Sequence, residues 1–178
     1  PRWLEAMPLR RWRQVFPVSP EGHMDARIEF SHDPTRIDLD RVHGALSQSY
    51  WSPGIRRELV ERAIAHSLVL GAYLAATQIA FARVVTDRAT FAWLCDVWVD
   101  EGFRGQGIGK ALLARFDAHE DLQSLRTWGL GTRDAHGLYA QFGFGPCPAD
   151  RWMLRRFPAS QWQDSEFSNE KTTLRVER

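Results

Sequence analysis

Asp96-Val97-Trp98-Val99-Asp100-Glu101-Gly102-Phe103-Arg104-Gly105-Gln106-Gly107-Ile108-Gly109-Lys110-Ala111-Leu112-Leu113 is the stretch whose reading decides the fold. An apolar strand runs into a glycine-rich turn. The turn opens into a helix pattern, with Ile108, Leu112, Leu113 and Phe116 at helical spacing. Such a junction gathers free backbone N–H groups at one point, and the helix dipole adds positive potential there. It is suited to hold a phosphate or pyrophosphate.

Three phosphate loops compete for this spacing. A Walker A loop needs Gly, four residues, then Gly-Lys-Ser/Thr. Here Arg104 stands where the first glycine should be and Ala111 follows Lys110, so both ends fail. A Rossmann fingerprint needs Gly-x-Gly-x-x-Gly in the first βαβ unit. Counting from Gly105 and Gly107, its third position is Lys110, and the loop lies mid-chain after several strands. A third pattern, Arg/Gln-x-x-Gly-x-Gly/Ala, is matched in full by Arg104-Gly105-Gln106-Gly107-Ile108-Gly109. This loop resembles the coenzyme A pyrophosphate loop of the GNAT superfamily of N-acetyltransferases. Val97-Trp98-Val99-Asp100 fits that family's fourth strand, and Leu138-Tyr139-Ala140-Gln141-Phe142-Gly143-Phe144 fits its Tyr-x-x-x-Gly-Phe segment.

Outward from the loop, the chain reads β-α-α-β-β-β-α-β-α-β. Strands are expected at Ala26–Ser31, Leu68–Leu74, Gln78–Thr86, Thr90–Val99, Leu125–Gly131 and Arg151–Phe157. Helices are expected at Asp38–Ser49, Ile55–His66, Gly107–Glu120 and Ala135–Phe142, the last ended by Gly143. Asp87-Arg88 reads as a hairpin turn. The expected architecture is α/β: a mixed, mostly antiparallel sheet of six to seven strands with helices on both faces. Residues 24–158 would form this domain. Residues 1–23 read either as a native basic-aromatic extension or as a leader left by cloning, since Gly22-His23-Met24 resembles a cloning junction before a start methionine. Residues 159–178 read as a polar, mobile tail.

At 178 residues the chain has the length of one domain. A 44% hydrophobic and 25% charged composition is ordinary for a globular protein, and a net charge of +1 gives no electrostatic case for nucleic acid. Thr77, Gln78 and Arg83 interrupt the most apolar stretch, Leu68–Val85, which reads as two core strands and not as a membrane span. Cys95 and Cys147 have no metal-ligand spacing and read as two buried free thiols of a cytoplasmic protein; one disulfide stays open as an alternative. No metal is expected. Eight tryptophans leave room for a homodimer interface.

The resemblance implies acetyl-CoA as donor, and the aromatic, arginine-bearing stretch from Tyr50 to Arg57 favours the primary amine of a small molecule or an amino-acid-like acceptor over a long basic peptide. It implies that backbone N–H groups from Arg104 to Gly109 contact the pyrophosphate, with Arg104 and Lys110 adding charge. Glycine at 105, 107 and 109 lets the backbone come close. Val97, Trp98 and Val99 would lie along the pantetheine arm, and the Val97 N–H would hold the thioester carbonyl. Tyr139 would protonate the departing thiolate. Relatives often carry an asparagine before this helix. Thr132-Arg133-Asp134-Ala135 stands there instead, so a contact at Asp134 carries over through the backbone. For the general base, Asp96 is the first candidate and His136 the second. Strand alternation turns Cys95 to the opposite face from Asp96, against a covalent acetyl-cysteine step. Tyr50 and Trp51 are candidates to line an acceptor pocket, and Arg56 to meet an acceptor carboxylate; as alternatives, Trp51 plugs the core and the arginine is solvated. Two rival functions stay open on the same fold: a non-catalytic acyl-CoA sensor, and transfer of a longer acyl group.

Overall fold

The structure is a computed structural model that describes residues 28–148, 150 and 152–164. The expected leader 1–23, the start at Met24 and residues 165–178 of the expected tail lie outside the described residues.

Strand β1 (Ile28–Ser31) leads through a short 3-10 turn to helix α1 (Leu39–Ser47). Asp38 caps α1, its carboxylate accepting from the Arg41 N–H, and Val42 and Leu46 form the buried stripe. Buried Gln78 pins this start to the sheet: its Oε1 accepts from the Asp38 N–H at 2.7 Å and its Nε2 donates to the Ala80 carbonyl at 3.2 Å. Helix α2 (Arg57–Ala65) follows and buries Val60. Strands β2 (Leu68–Leu74), β3 (Thr77–Thr86) and β4 (Phe91–Val99) form a meander. At the β3–β4 turn, Asp87 Oδ1 accepts from the N–H groups of Ala89, Thr90 and Phe91. Helix α3 (Ile108–Asp117) crosses to β5 (Thr127–Leu130). Helix α4 (His136–Tyr139) then runs into a 3-10 turn, and Gly143 at φ 83° ends it.

The sheet order is β1-β2-β3-β4-β5, with the first four strands antiparallel and β5 parallel to β4. One face packs Leu70, Ala72, Ala82, Val84 and Leu94 against Ile108, Leu112, Leu113 and Phe116 of α3. The other packs Val69 and Phe81 against Val42, Leu46 and Val60 of α1 and α2. Helices therefore cover both faces. Phe116 is fully buried, so its truncation to alanine costs about 3–5 kcal/mol. Among the described residues no helix is long and apolar enough to cross a membrane.

Two expectations are corrected. Among the described residues the sheet has five strands, because 152–158 form none. Met153 and Leu154 are neighbours, so no single strand face collects the apolar side chains. Met153 is 98% exposed and Leu154 70%, while the Arg155 guanidinium sits over the Phe157 ring at 5.0 Å. The expected tail is also docked at its start. Gln163 pairs with Ile55, and the Asp164 N–H donates to the Gly54 carbonyl at 2.8 Å.

Candidate active site

The register between β3 and β4 breaks where the sequence places the site. Phe81 faces Trp98 and Arg83 faces Cys95, so Ala82 opposes both Asp96 and Val97. This is a β-bulge, and Asp96 enters it at φ 54°, a left-handed conformation uncommon outside glycine. On its other side β4 pairs with β5 only from Phe91 to Leu94. Beyond Leu94 the β5-facing edge of Cys95–Val99 has no strand partner among the described residues.

Strand β4 is followed by Asp100, whose N–H donates to the Ile79 carbonyl at 2.8 Å. Its carboxylate accepts from the Gly102 N–H at 3.2 Å and from Arg41 Nη2 at 2.9 Å. The loop then turns on two left-handed glycines, Gly105 at φ 76° and Gly107 at φ 81°; Gly107 is the N-cap of α3. Arg104 Nε donates to the Val99 carbonyl and Nη1 to Glu101, both at 3.1 Å. Gln106 Nε2 donates to the Gly102 carbonyl at 3.2 Å. These two side chains brace the turn against its own backbone, so the N–H groups of the first helical turn carry its anion-binding capacity. A Cβ added at Gly105 would meet nothing within 4 Å, which leaves room for a ligand to approach the main chain. Ile108 is buried beneath the loop, and Lys110 is exposed at its rim.

A cavity of about 260 Å³ opens beside the unpaired edge. Cys95, Asp96 and Val97 border it from β4, Tyr139 from α4, and Tyr50 and Trp51 from the loop after α1. Asp134 and Ala135 close it in front of α4. Burial pushes the Tyr139 phenol up to about 12, with nearby Tyr50 and Asp134 acting in the same direction. It therefore stays protonated at neutral pH and can donate. Tyr50 is a pin as well as a wall. Its hydroxyl donates to Asp134 Oδ1 at 3.2 Å and accepts from the Arg133 N–H at 3.0 Å. The Arg133 guanidinium lies 3.9 Å from the Tyr50 ring centre, and Trp51 meets that ring edge-on at 5.0 Å. A larger cavity, about 790 Å³, lies along β5 between Trp128, Phe144 and Trp152, and shares Tyr139 and Trp93 with the first.

Several expected roles change. Asp96 borders the cavity, but its Oδ2 accepts from Arg83 Nε at 2.6 Å, with both side chains largely buried. Its carboxylate is thus engaged by β3 as well as facing the cavity. His136 is exposed and borders only the larger cavity, away from Asp96 and Val97. Arg56 does not line the small cavity; its Nη2 donates to the Gln161 carbonyl at 2.8 Å and its Nε lies 3.4 Å from Glu58. The Trp98 ring packs on the core of Val42 and Phe81, so only its backbone belongs to the open edge. Cys95 and Asp96 border the same cavity, which strict alternation forbids; the extra residue of the bulge brings them together. Burial pushes the Cys95 thiol up to about 11, which keeps it from acting as a nucleophile at neutral pH, whereas Cys147, expected to be buried, is exposed.

Three site residues escaped the sequence reading. Arg83 had a signal, as the lone charge in an apolar strand. Thr132 had one in its spacing, since its Oγ1 accepts from the Ala135 N–H at 3.1 Å ahead of α4. Trp93 had none. It depends on pairing opposite Gly129, where an added Cβ would lie 2.7 Å from the indole. Among the described residues, no three His, Cys, Asp or Glu side chains cluster as a metal site.

The model of the GNAT acetyltransferase domain matches residues 65–146. Among solved structures, a Xanthomonas campestris pv. campestris protein assigned as a GNAT-family acetyltransferase is 44% identical, with a TM-score of 0.71; the match covers 75% of this chain and 94% of that one. A Clostridium acetobutylicum protein assigned as an acetyltransferase, solved with acetyl-CoA, is 15% identical with a TM-score of 0.57, covering 73% and 96%. Glucosamine-6-phosphate N-acetyltransferase from Arabidopsis thaliana is 14% identical with a TM-score of 0.57, covering 74% and 99%. These last two share the fold alone. No curated protein matches the chain.

Proposed function

Because the chain belongs to the GNAT family of acetyltransferases, we propose that it moves an acetyl group from acetyl-CoA to the primary amine of a small acceptor, with both bound at once. The observation that carries this reading is the bulged, half-open strand β4 with the half-buried Tyr139 beside it in one cavity. Acetyl-CoA supplies an activated carbonyl and a thiolate leaving group. The chain's residues supply the rest.

The first-turn amides of α3, from Gly107 to Lys110, hold the pyrophosphate, with Gly105 keeping the approach clear. The edge of Cys95–Val99 takes the pantetheine arm as an added strand. The Val97 N–H, at the bulge, donates to the thioester oxygen as negative charge develops there. Tyr139 donates its phenolic proton to the departing sulfur. Tyr50 and Trp51 hold the acceptor amine facing Val97. With Asp96 paired to Arg83, the amine's proton passes to solvent water at the mouth of the cavity, where the Asp134 side chain is 59% exposed.

The cavity also bears on the acceptor. Without Arg56, the expected anchor for a carboxylate is missing from its lining. A small amine with an apolar body fits the walls of Tyr50, Trp51 and Trp93 better than an amino acid does. A cytoplasmic location, where acetyl-CoA and free thiols coexist, belongs to the same proposal.

Thiol release from acetyl-CoA across a panel of small primary amines tests it, with product identity from mass spectrometry. The expected result is release that depends on the amine. Tight acetyl-CoA binding with no release on any amine would favour the sensor reading.

A further inference from the structure

The strained residue of β4 is also one member of a largely buried ion pair. Asp96 takes φ 54° at the bulge, and its carboxylate accepts from Arg83 Nε at 2.6 Å. Arg83 sits in β3 opposite Cys95, next to the register break. Its Nη1 donates to Ser67 Oγ at 3.1 Å, and Ser67 Oγ donates to the Ala63 carbonyl at 2.6 Å. A chain of contacts thus runs from the last turn of α2, across β3, to the residue before Val97. The two charged side chains are only 16% and 13% exposed.

We propose that Arg83 is a positioning residue. It clamps Asp96 in its left-handed conformation and so aims the Val97 N–H at the acyl carbonyl. The proposal rests on the acetyl-transfer reading and deepens it. This conformation is strained for an L-residue, less so for aspartate than for alanine, and inside a strand no turn is there to impose it. Glycine does so freely, yet the sequence places an aspartate here and a matching guanidinium across the strand pair. An ion pair serving stability alone would have no need to fall on the bulged residue. The pair also accounts for Asp96 bordering the cavity without acting there as a base.

The test compares D96G with D96A. Both remove the carboxylate and leave Arg83 equally unpartnered. They differ in what φ 54° demands of residue 96, which only alanine resists. The first readout is kcat at saturating acetyl-CoA, expected to be about tenfold higher in D96G than in D96A. The second needs no turnover: the infrared stretch of a ¹³C-labelled thioester carbonyl in bound acetyl-CoA. It should be lowered in the wild type and in D96G, and lie nearer its solution frequency in D96A and R83M. R83K, which keeps the charge without the planar fork, should fall between and preserves the comparison if D96A does not fold. The same stretch in the wild type, D96A, R83M and R83K would overturn the clamp. So would a D96G enzyme as inactive as D96A with a wild-type stretch, since Asp96 would then be the proton acceptor itself. A wild type that binds acetyl-CoA but acetylates no amine would contradict the transferase reading alone, and the stretch would still decide the clamp.

Discussion

The Tyr50 hydroxyl donates to Asp134 at 3.2 Å across 84 residues of sequence, joining the loop after α1 to the segment that launches α4. One side chain thereby links the acceptor wall to the element carrying Tyr139. Tyr50→Phe removes this bond and leaves the Arg133 N–H without its acceptor. The pair is exposed, so stability should fall by only about 0.5–1.5 kcal/mol. The acceptor KM should rise several-fold with little change in acetyl-CoA affinity. Steady-state kinetics with each substrate varied in turn will show it.

Tyr139→Phe keeps the ring and its edge-on contact with Phe144, 6.1 Å between centres, and deletes the proton. We expect kcat to fall about 10²-fold or more while acetyl-CoA affinity changes little. Because the phenol is pushed up to about 12, no loss of its proton should limit wild-type turnover below about pH 11. A kcat–pH profile checks both points.

The loop glycines should separate cleanly. Gly107 caps α3 at φ 81°, so Gly107→Ala strains the turn that presents the first N–H groups, costing about 1–2 kcal/mol. Gly109 is inside the helix, where an added Cβ would meet Leu138 and Val99 at ordinary distances of 3.8 and 3.9 Å. Gly109→Ala should therefore stabilise by up to about 1 kcal/mol. Calorimetric titration with acetyl-CoA should show Gly107→Ala weaker than Gly109→Ala by about tenfold or more.

Much of this was legible in sequence because it is written in short, local patterns. The strand–loop–helix unit, the glycines that turn it and the tyrosine segment each depend on neighbours in the chain. The features that escaped depend on pairing. Asp96 meets Arg83 because the bulge shifts the β3–β4 register, and no spacing within either strand announces that shift. Arg56 lies away from the cavity, its Nη2 donating to the main-chain carbonyl of Gln161, far along the chain. The expected strand at 151–157 matched a pattern of apolar residues too brief to define a face.

Alkaline pH should expose the buried thiol. Below about pH 9, Cys95 is protonated in both the folded and unfolded chain. Above it the unfolded thiol ionises while the folded one, pushed up to about 11, does not. The unfolded state then binds fewer protons, so stability falls as pH rises from about 9 to about 11, on the order of 2 kcal/mol. Denaturant melts across this range should be flatter for Cys95→Ala.

The measurement that bears most directly on the central claim is a crystal structure with acetyl-CoA bound. The account predicts the pyrophosphate on the amides from Gly107 to Lys110, the pantetheine arm along Cys95–Val99, the acyl oxygen on the Val97 N–H and the sulfur beside Tyr139. A donor lying along β5 in the larger cavity, with the edge of β4 left empty, would contradict it.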